Sequence, residues 1–98
     1  MVEAPDCHYC RRWHAEVGQA YPNSPEGKFA PLRRVNIGAP ELSHLTSLRY
    51  TPTFVLLQGR QEIGRIVGYP GASFFWELLA GLLGKTPFAS QLVEDIRT

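Results

Sequence analysis

The sequence predicts an α/β fold: a four-stranded mixed sheet flanked by helices, assembled as a βαβ unit followed by a ββα unit. Three observations carry that expectation. Strand-like residues at Val2 to Ala4 run straight into a helix-period stretch. Thr53 to Leu57 is a short apolar, β-branched run with a tight turn behind it. A wide apolar helical stripe then closes the chain order.

The first strand is broken at Pro5-Asp6, just ahead of Cys7. From Cys10, apolar or aromatic residues recur at Trp13, Val17 and Ala20 or Tyr21, with Arg11, Arg12, Glu16 and Gln19 on the other side. That spacing predicts a helix which Pro22 and Pro25 end, followed by a loop over Asn23-Ser24-Pro25-Glu26-Gly27. Leu32 to Ile37 reads as the second strand, and Pro40 to Arg49, with Leu42, Leu45 and Leu48, as a short second helix.

Thr53 to Leu57 has the pattern of a central strand covered on both faces, and Gly59-Arg60 turns it into a hairpin partner. In that partner Ile63 and Ile66 cannot share a face under strict alternation, so Gly64 or Gly68 should mark a bulge. Ser73 suits the cap of the next helix, whose stripe is Phe74, Phe75, Leu78, Leu79, Leu82 and Leu83, with Gly84 just past its end. Thr86-Pro87 would start a last helical segment through Val93 to about Arg97. The right-handed crossover rule leaves few ways to assemble these elements.

Residues 1–98 read as one domain, since no repeat, linker or low-complexity tract divides them. A chain of this size buries only about 60–65% of its unfolded surface, so its core must be efficient. Apolar residues make up 44% and charged residues 19%, which excludes long disorder. The net charge is +1 and the basic residues occur in pairs such as Arg11-Arg12 and Arg33-Arg34, which disfavours nucleic acid as a ligand. Phe74 to Leu83 is too short and too interrupted to span a bilayer, and the residues from Met1 show no basic and apolar pattern of a secretory signal, as a mature domain would also look.

Two cysteines three positions apart cannot make a secreted disulfide framework, so redox or metal chemistry remains. Disulfide exchange needs a thiolate, and a cysteine at a helix start gains one from the unpaired N–H groups and the positive end of the dipole. Cys7 is the expected nucleophile and Cys10, one turn on and more buried, the resolving thiol. His8 and Tyr9 between them would tune the pair, His8 by charge and Tyr9 as contact surface. A zinc site with His14 and His44, or two inert buried cysteines, are the competing readings; a second Cys-x-x-Cys is missing for zinc. Trp13 and Trp76 sit at core spacing, and His14, His44, Arg11 and Arg12 read as ordinary polar residues.

Cys7-His8-Tyr9-Cys10, taken with Tyr50-Thr51-Pro52-Thr53-Phe54-Val55 and Gly68-Tyr69, resembles the thioredoxin superfamily. The resemblance implies a thioredoxin-like fold, a cis-proline at Pro52 facing the cysteines, and a Thr51 backbone that holds substrate as an added strand. Cys10-Arg11-Arg12-Trp13, Ala30-Pro31-Leu32-Arg33-Arg34-Val35, Gly68-Tyr69-Pro70-Gly71 and Phe74-Phe75-Trp76 look more closely like the SoxS-type thioredoxins of bacterial sulfur-oxidation systems. That likeness implies a thiol-disulfide oxidoreductase with no cofactor, periplasmic, with the cytoplasm as the alternative, acting on a disulfide or persulfide of a SoxY-type sulfur carrier. A membrane or soluble thiol reductant would reset it. Against thioredoxins proper, His8-Tyr9 replaces Gly-Pro and the position of their buried acid falls at Met1. The Cys-x-Tyr-Cys and Thr-Pro pairing also resembles glutaredoxins and periplasmic disulfide isomerases, although the glycine pair of glutaredoxins is not matched after Val67. A glutathione-dependent enzyme and a non-catalytic binding module are therefore the alternatives.

Overall fold

The computed structural model describes residues 1–88. Four strands, β1 (Val2–Glu3), β2 (Val35–Asn36), β3 (Thr53–Gln58) and β4 (Gln61–Val67), form one sheet in the order β2-β1-β3-β4. β1 runs parallel to β2 and antiparallel to β3, and β3 pairs antiparallel with β4. The helices are α1 (His8–Trp13), α2 (Pro25–Phe29) and α3 (Ala72–Leu83). The predicted mixed sheet and thioredoxin-like α/β order are present.

The hairpin is registered by Phe54 opposite Ile66 and Val55 opposite Arg65. Between Leu56–Gly64 and Leu57–Glu62 the register shifts, leaving Ile63 as the extra residue. This is the bulge that the misaligned isoleucines demanded, placed beside Gly64 rather than Gly68. Gly64 also faces α3: a Cβ there would lie 2.4 Å from Cδ2 of Leu82, so the missing side chain leaves the space that the end of Leu82 fills.

Trp13, Phe54 and Phe75 meet at ring-centroid distances of 4.8–5.7 Å, so α1 and α3 pack on the same face of β3. Val17, Ile66, Leu79 and Leu83 belong to the same buried cluster, as do Cys7 and Cys10. Aromatic side chains supply the area that a short chain needs, and their edge-to-face contacts add to it. On the opposite face Arg65 donates to the carbonyl of Ser47, which brings the segment before β3 against the sheet.

Several elements differ from the expectation. Pro40 to Arg49 is not a helix: one 3-10 turn covers Pro40–Leu42, and Ser47 adopts a positive φ of 59°. Ser43, Thr46 and Ser47 offer the backbone local alternatives to a helical ladder. Leu42, Leu45 and Leu48 are half-buried all the same, so the apolar spacing is met by irregular chain. Leu57 is exposed, so β3 is covered only over its first half.

The second strand shrinks from Leu32–Ile37 to two residues, held by Val35 N donating to Met1 O and Ile37 N to Glu3 O. The first helix is α-helical only to Trp13 and continues as a π turn over His14–Gly18. The expected loop at 23–27 contains α2: Ser24 Oγ accepts from Gly27 N at 2.9 Å and Pro25 takes the first helical position. α3 begins two residues earlier than expected, with Gly71 at φ 106° in the N-cap position and not Ser73. Gly84 does sit at its C-cap. Thr86 Oγ1 accepts from Phe88 N, while the rest of the helical segment expected through Val93 to Arg97 lies outside the described residues.

Candidate redox site

The chain leaves β1, crosses Ala4-Pro5-Asp6, and enters α1 at its N-cap, Cys7. Cys7 and Cys10 are joined by a disulfide with their Cα atoms 5.2 Å apart. The Cys10 backbone N–H donates to Cys7 Sγ at 3.0 Å, so the sulfur occupies the place that a serine or aspartate oxygen takes at other helix starts. It therefore receives the orphan N–H and the positive end of the helix. Cys10 is 3% exposed and Cys7 8%, the order expected of a resolving and an attacking sulfur.

Because β1 and β3 are antiparallel with Val2 opposite Thr53, the end of β1 that leads to Cys7 is the end at which β3 begins. Thr51 and Pro52 are therefore on the cysteine side of the sheet. The Thr51–Pro52 peptide bond is cis, as the resemblance implied. Pro52 is fully buried, its carbonyl accepts from Gly68 N at 2.7 Å, and Thr53 Oγ1 donates to the Tyr50 carbonyl at 2.6 Å. Thr51 stays half-buried at the surface.

His8 and Tyr9 are exposed, with their rings edge-on at 5.4 Å, and Tyr50 is 67% exposed. Arg11 is exposed, and Arg12 pairs with Glu16 at 3.3 Å one turn along.

Glu3 is the polar residue that the sequence did not single out. It is buried on β1, and its carboxylate receives Arg34 Nε at 2.6 Å on one oxygen and faces His14 Nε2 at 2.6 Å on the other. Burial by itself would raise this carboxyl; hydrogen bonds from Arg34 and His14, together with their charges, outweigh it and hold the group below its ordinary value. Glu3, His14 and Arg34 share a polar cleft of about 200 Å³ with Cys7 and Cys10. The family's acid is absent at buried Met1, yet a carboxylate does stand beside the cysteines, two residues further along the strand. A charged residue flanked by Val2 and Ala4 in a strand was the available signal.

His14 is thus a partner of Glu3 and not a free side chain, and His44 lies on the wall of a separate apolar cleft. Among the described residues no three His, Cys, Asp or Glu side chains gather to hold a metal ion. No helix among them is long and apolar enough to cross a membrane. Trp13 is fully buried, as expected of a core residue, and Trp76 packs against the core with its ring stacked on Tyr21.

The solved structure of the periplasmic thioredoxin SoxS from Paracoccus pantotrophus, in its reduced form, matches this fold with a TM-score of 0.81. Its sequence is 45% identical, over 86% of this chain and 92% of that one. The chain belongs to the SoxS-type thioredoxins. No protein-family model and no curated protein matches it. With the Cys-x-x-Cys disulfide in place, this SoxS-type thioredoxin is a thiol-disulfide oxidoreductase, and its class implies a protein substrate.

Proposed function

We propose that this SoxS-type thioredoxin reduces a disulfide or persulfide on a protein partner, with Cys7 attacking and Cys10 resolving. The observation that carries the reading is the Cys10 N–H aimed at Cys7 Sγ from the first turn of α1. In the reduced enzyme the same amide meets a thiolate, which it favours.

The Cys7 thiolate attacks one sulfur of the partner's disulfide; that S–S bond breaks, the other partner sulfur leaves with the electron pair and takes a proton. A mixed disulfide now links Cys7 to the partner. Cys10 gives up its proton and attacks Cys7 Sγ, the mixed bond breaks, and the partner leaves with both of its thiols. Two electrons have passed to the partner, and an external thiol reductant, soluble or in a membrane, returns them to the enzyme. With a persulfide, attack on the outer sulfur frees the partner thiol, and Cys10 then releases that sulfur from Cys7 as sulfide.

The Thr51 backbone serves as the docking edge for an extended partner segment, and His8 and Tyr9 as the contact and tuning surface. The partner we assign is a SoxY-type sulfur carrier, and the compartment the periplasm, in which the Paracoccus relative is found. No cofactor enters the cycle.

Replacing Cys7 with serine should abolish insulin disulfide reduction, and retained activity would remove Cys7 as the nucleophile. Cys10→Ser should instead accumulate a covalent partner complex; a variant that forms none would remove the resolving role. Glutathione with glutathione reductase should not sustain turnover, whereas a glutaredoxin-like enzyme would be driven by it.

A further inference from the structure

A second connection joins the cysteine helix to the loop beside Pro52. Gly68, with φ 84°, turns the chain out of β4 while its N–H holds the Pro52 carbonyl at 2.7 Å. The next residue, Tyr69, is buried, and its hydroxyl donates to Glu16 Oε1 at 2.5 Å. Glu16 lies on the π turn that continues α1, and its other oxygen is held by Arg12. The Arg12 guanidinium also lies over the Tyr69 ring, 5.8 Å from its centroid. The path runs without a gap from the helix of Cys10, through Arg12 and Glu16, across Tyr69 and Gly68, to the carbonyl of Pro52.

From this arrangement we infer that Tyr69 is a positioning residue, which sets the distance between the cysteine pair and the Thr51–Pro52 backbone and thereby selects for disulfides carried on an extended protein segment. The inference rests on the reading of Thr51 as the docking edge. A protein disulfide must satisfy two constraints at once, its main chain on Thr51 and its sulfur in line with Cys7. A small disulfide must satisfy only the second. Loosening the strut therefore costs the first substrate and spares the second, because alignment is worth something only where two sites are engaged together. Burial leads, followed by the hydrogen bond to Glu16 and its charge, in pushing the Tyr69 phenol up to about 12, so the hydroxyl keeps its proton and remains a donor throughout neutral pH.

The test compares insulin with 2-hydroxyethyl disulfide in dithiothreitol-driven turnover. Tyr69→Phe removes one hydroxyl and should raise KM for insulin roughly fivefold, the net worth of a single hydrogen bond. Its kcat/KM on 2-hydroxyethyl disulfide and the potential of the cysteine pair should be unchanged. Glu16→Ala should reproduce this, Glu16→Gln, which keeps an acceptor, should restore the insulin KM, and the Tyr69→Phe/Glu16→Ala double variant should be no worse than either single one. Equal losses on both substrates, or an unaltered insulin KM, would overturn the inference. The reading on which it rests is checked separately, by amide exchange in the insulin complex trapped with Cys10→Ser. If the Thr51 N–H becomes protected while Tyr69→Phe leaves KM alone, the strut is wrong and the docking edge stands. If Thr51 exchanges as in the free protein, the docking edge and the strut both fall.

Discussion

His14 Nε2 lies 2.6 Å from Glu3 Oε1, so the helical stretch that carries the cysteines is tied to the strand that delivers them. The Arg34 guanidinium closes on the same carboxylate from the approach to β2. One buried acid thus fastens three segments around the redox pair.

The acid dependence of stability follows. Glu3 titrates below the 4.5 ordinary for a glutamate, so its contribution is complete above about that pH and is lost as pH falls through the native value. Glu3→Gln should be less stable than the parent by about 1.5–3 kcal/mol at pH 7, the range for hydrogen bonds to charged groups. Urea midpoints should converge below pH 4.5. A gap as wide at pH 3 as at pH 7 would show that the carboxylate charge is not its source.

Two glycines test how tightly the elements are set. A Cβ on Gly27 would lie 1.8 Å from the Tyr21 carbonyl oxygen, a backbone atom, whereas on Gly64 it meets only the end of the Leu82 side chain. Gly27→Ala should therefore reach or exceed the upper end of the ~1–3 kcal/mol typical of overpacking, and Gly64→Ala should stay near its lower end as Leu82 rotates. Thermal denaturation of the two variants gives the order directly, and the reverse order would refute the packing argument.

Trp13 is fully buried, and its indole Nε1 has no hydrogen-bond partner among the described residues. Trp13→Ala should cost about 3–5 kcal/mol through lost area and the cavity left behind. Trp13→Phe should cost much less, because it keeps most of the contact with Phe54 and Phe75 and deletes an unsatisfied donor worth about 1–3 kcal/mol. Equal costs for the two variants would mean that the donor is satisfied in solution.

The reduced enzyme offers a direct check on Cys7. Its alkylation by iodoacetamide should show a midpoint below the ~8.5 of a free thiol, since a helix start and the Cys10 amide both favour the anion. A curve like that of free cysteine would detach the helix from the chemistry.

Much of this was legible in the sequence because it is local. Cys7 and Cys10 announce themselves by spacing, α3 by its leucines and phenylalanines, and the bulge by Ile63 and Ile66 falling out of step. Pro40 to Arg49 was over-read because leucines at intervals of three give the same inward face on irregular chain as on a helix. α2 was under-read for the opposite reason: five residues are too few to show a period, although Ser24 and Pro25 carried its start signal. Glu3 showed only as a charge between two apolar strand residues, and its role could not be read, since its partners stand 11 and 31 residues away and only the fold brings them together.

The amide that caps Cys7 has a consequence for turnover. It faces Cys7 Sγ in the disulfide form, and a thiolate or a mixed-disulfide sulfur at that same atom is an acceptor for it as well. Helix α1 need not melt and re-form between catalytic rounds. Opening and closing of the ring then calls for rotation of the cysteine side chains while the first turn of the helix keeps its cap.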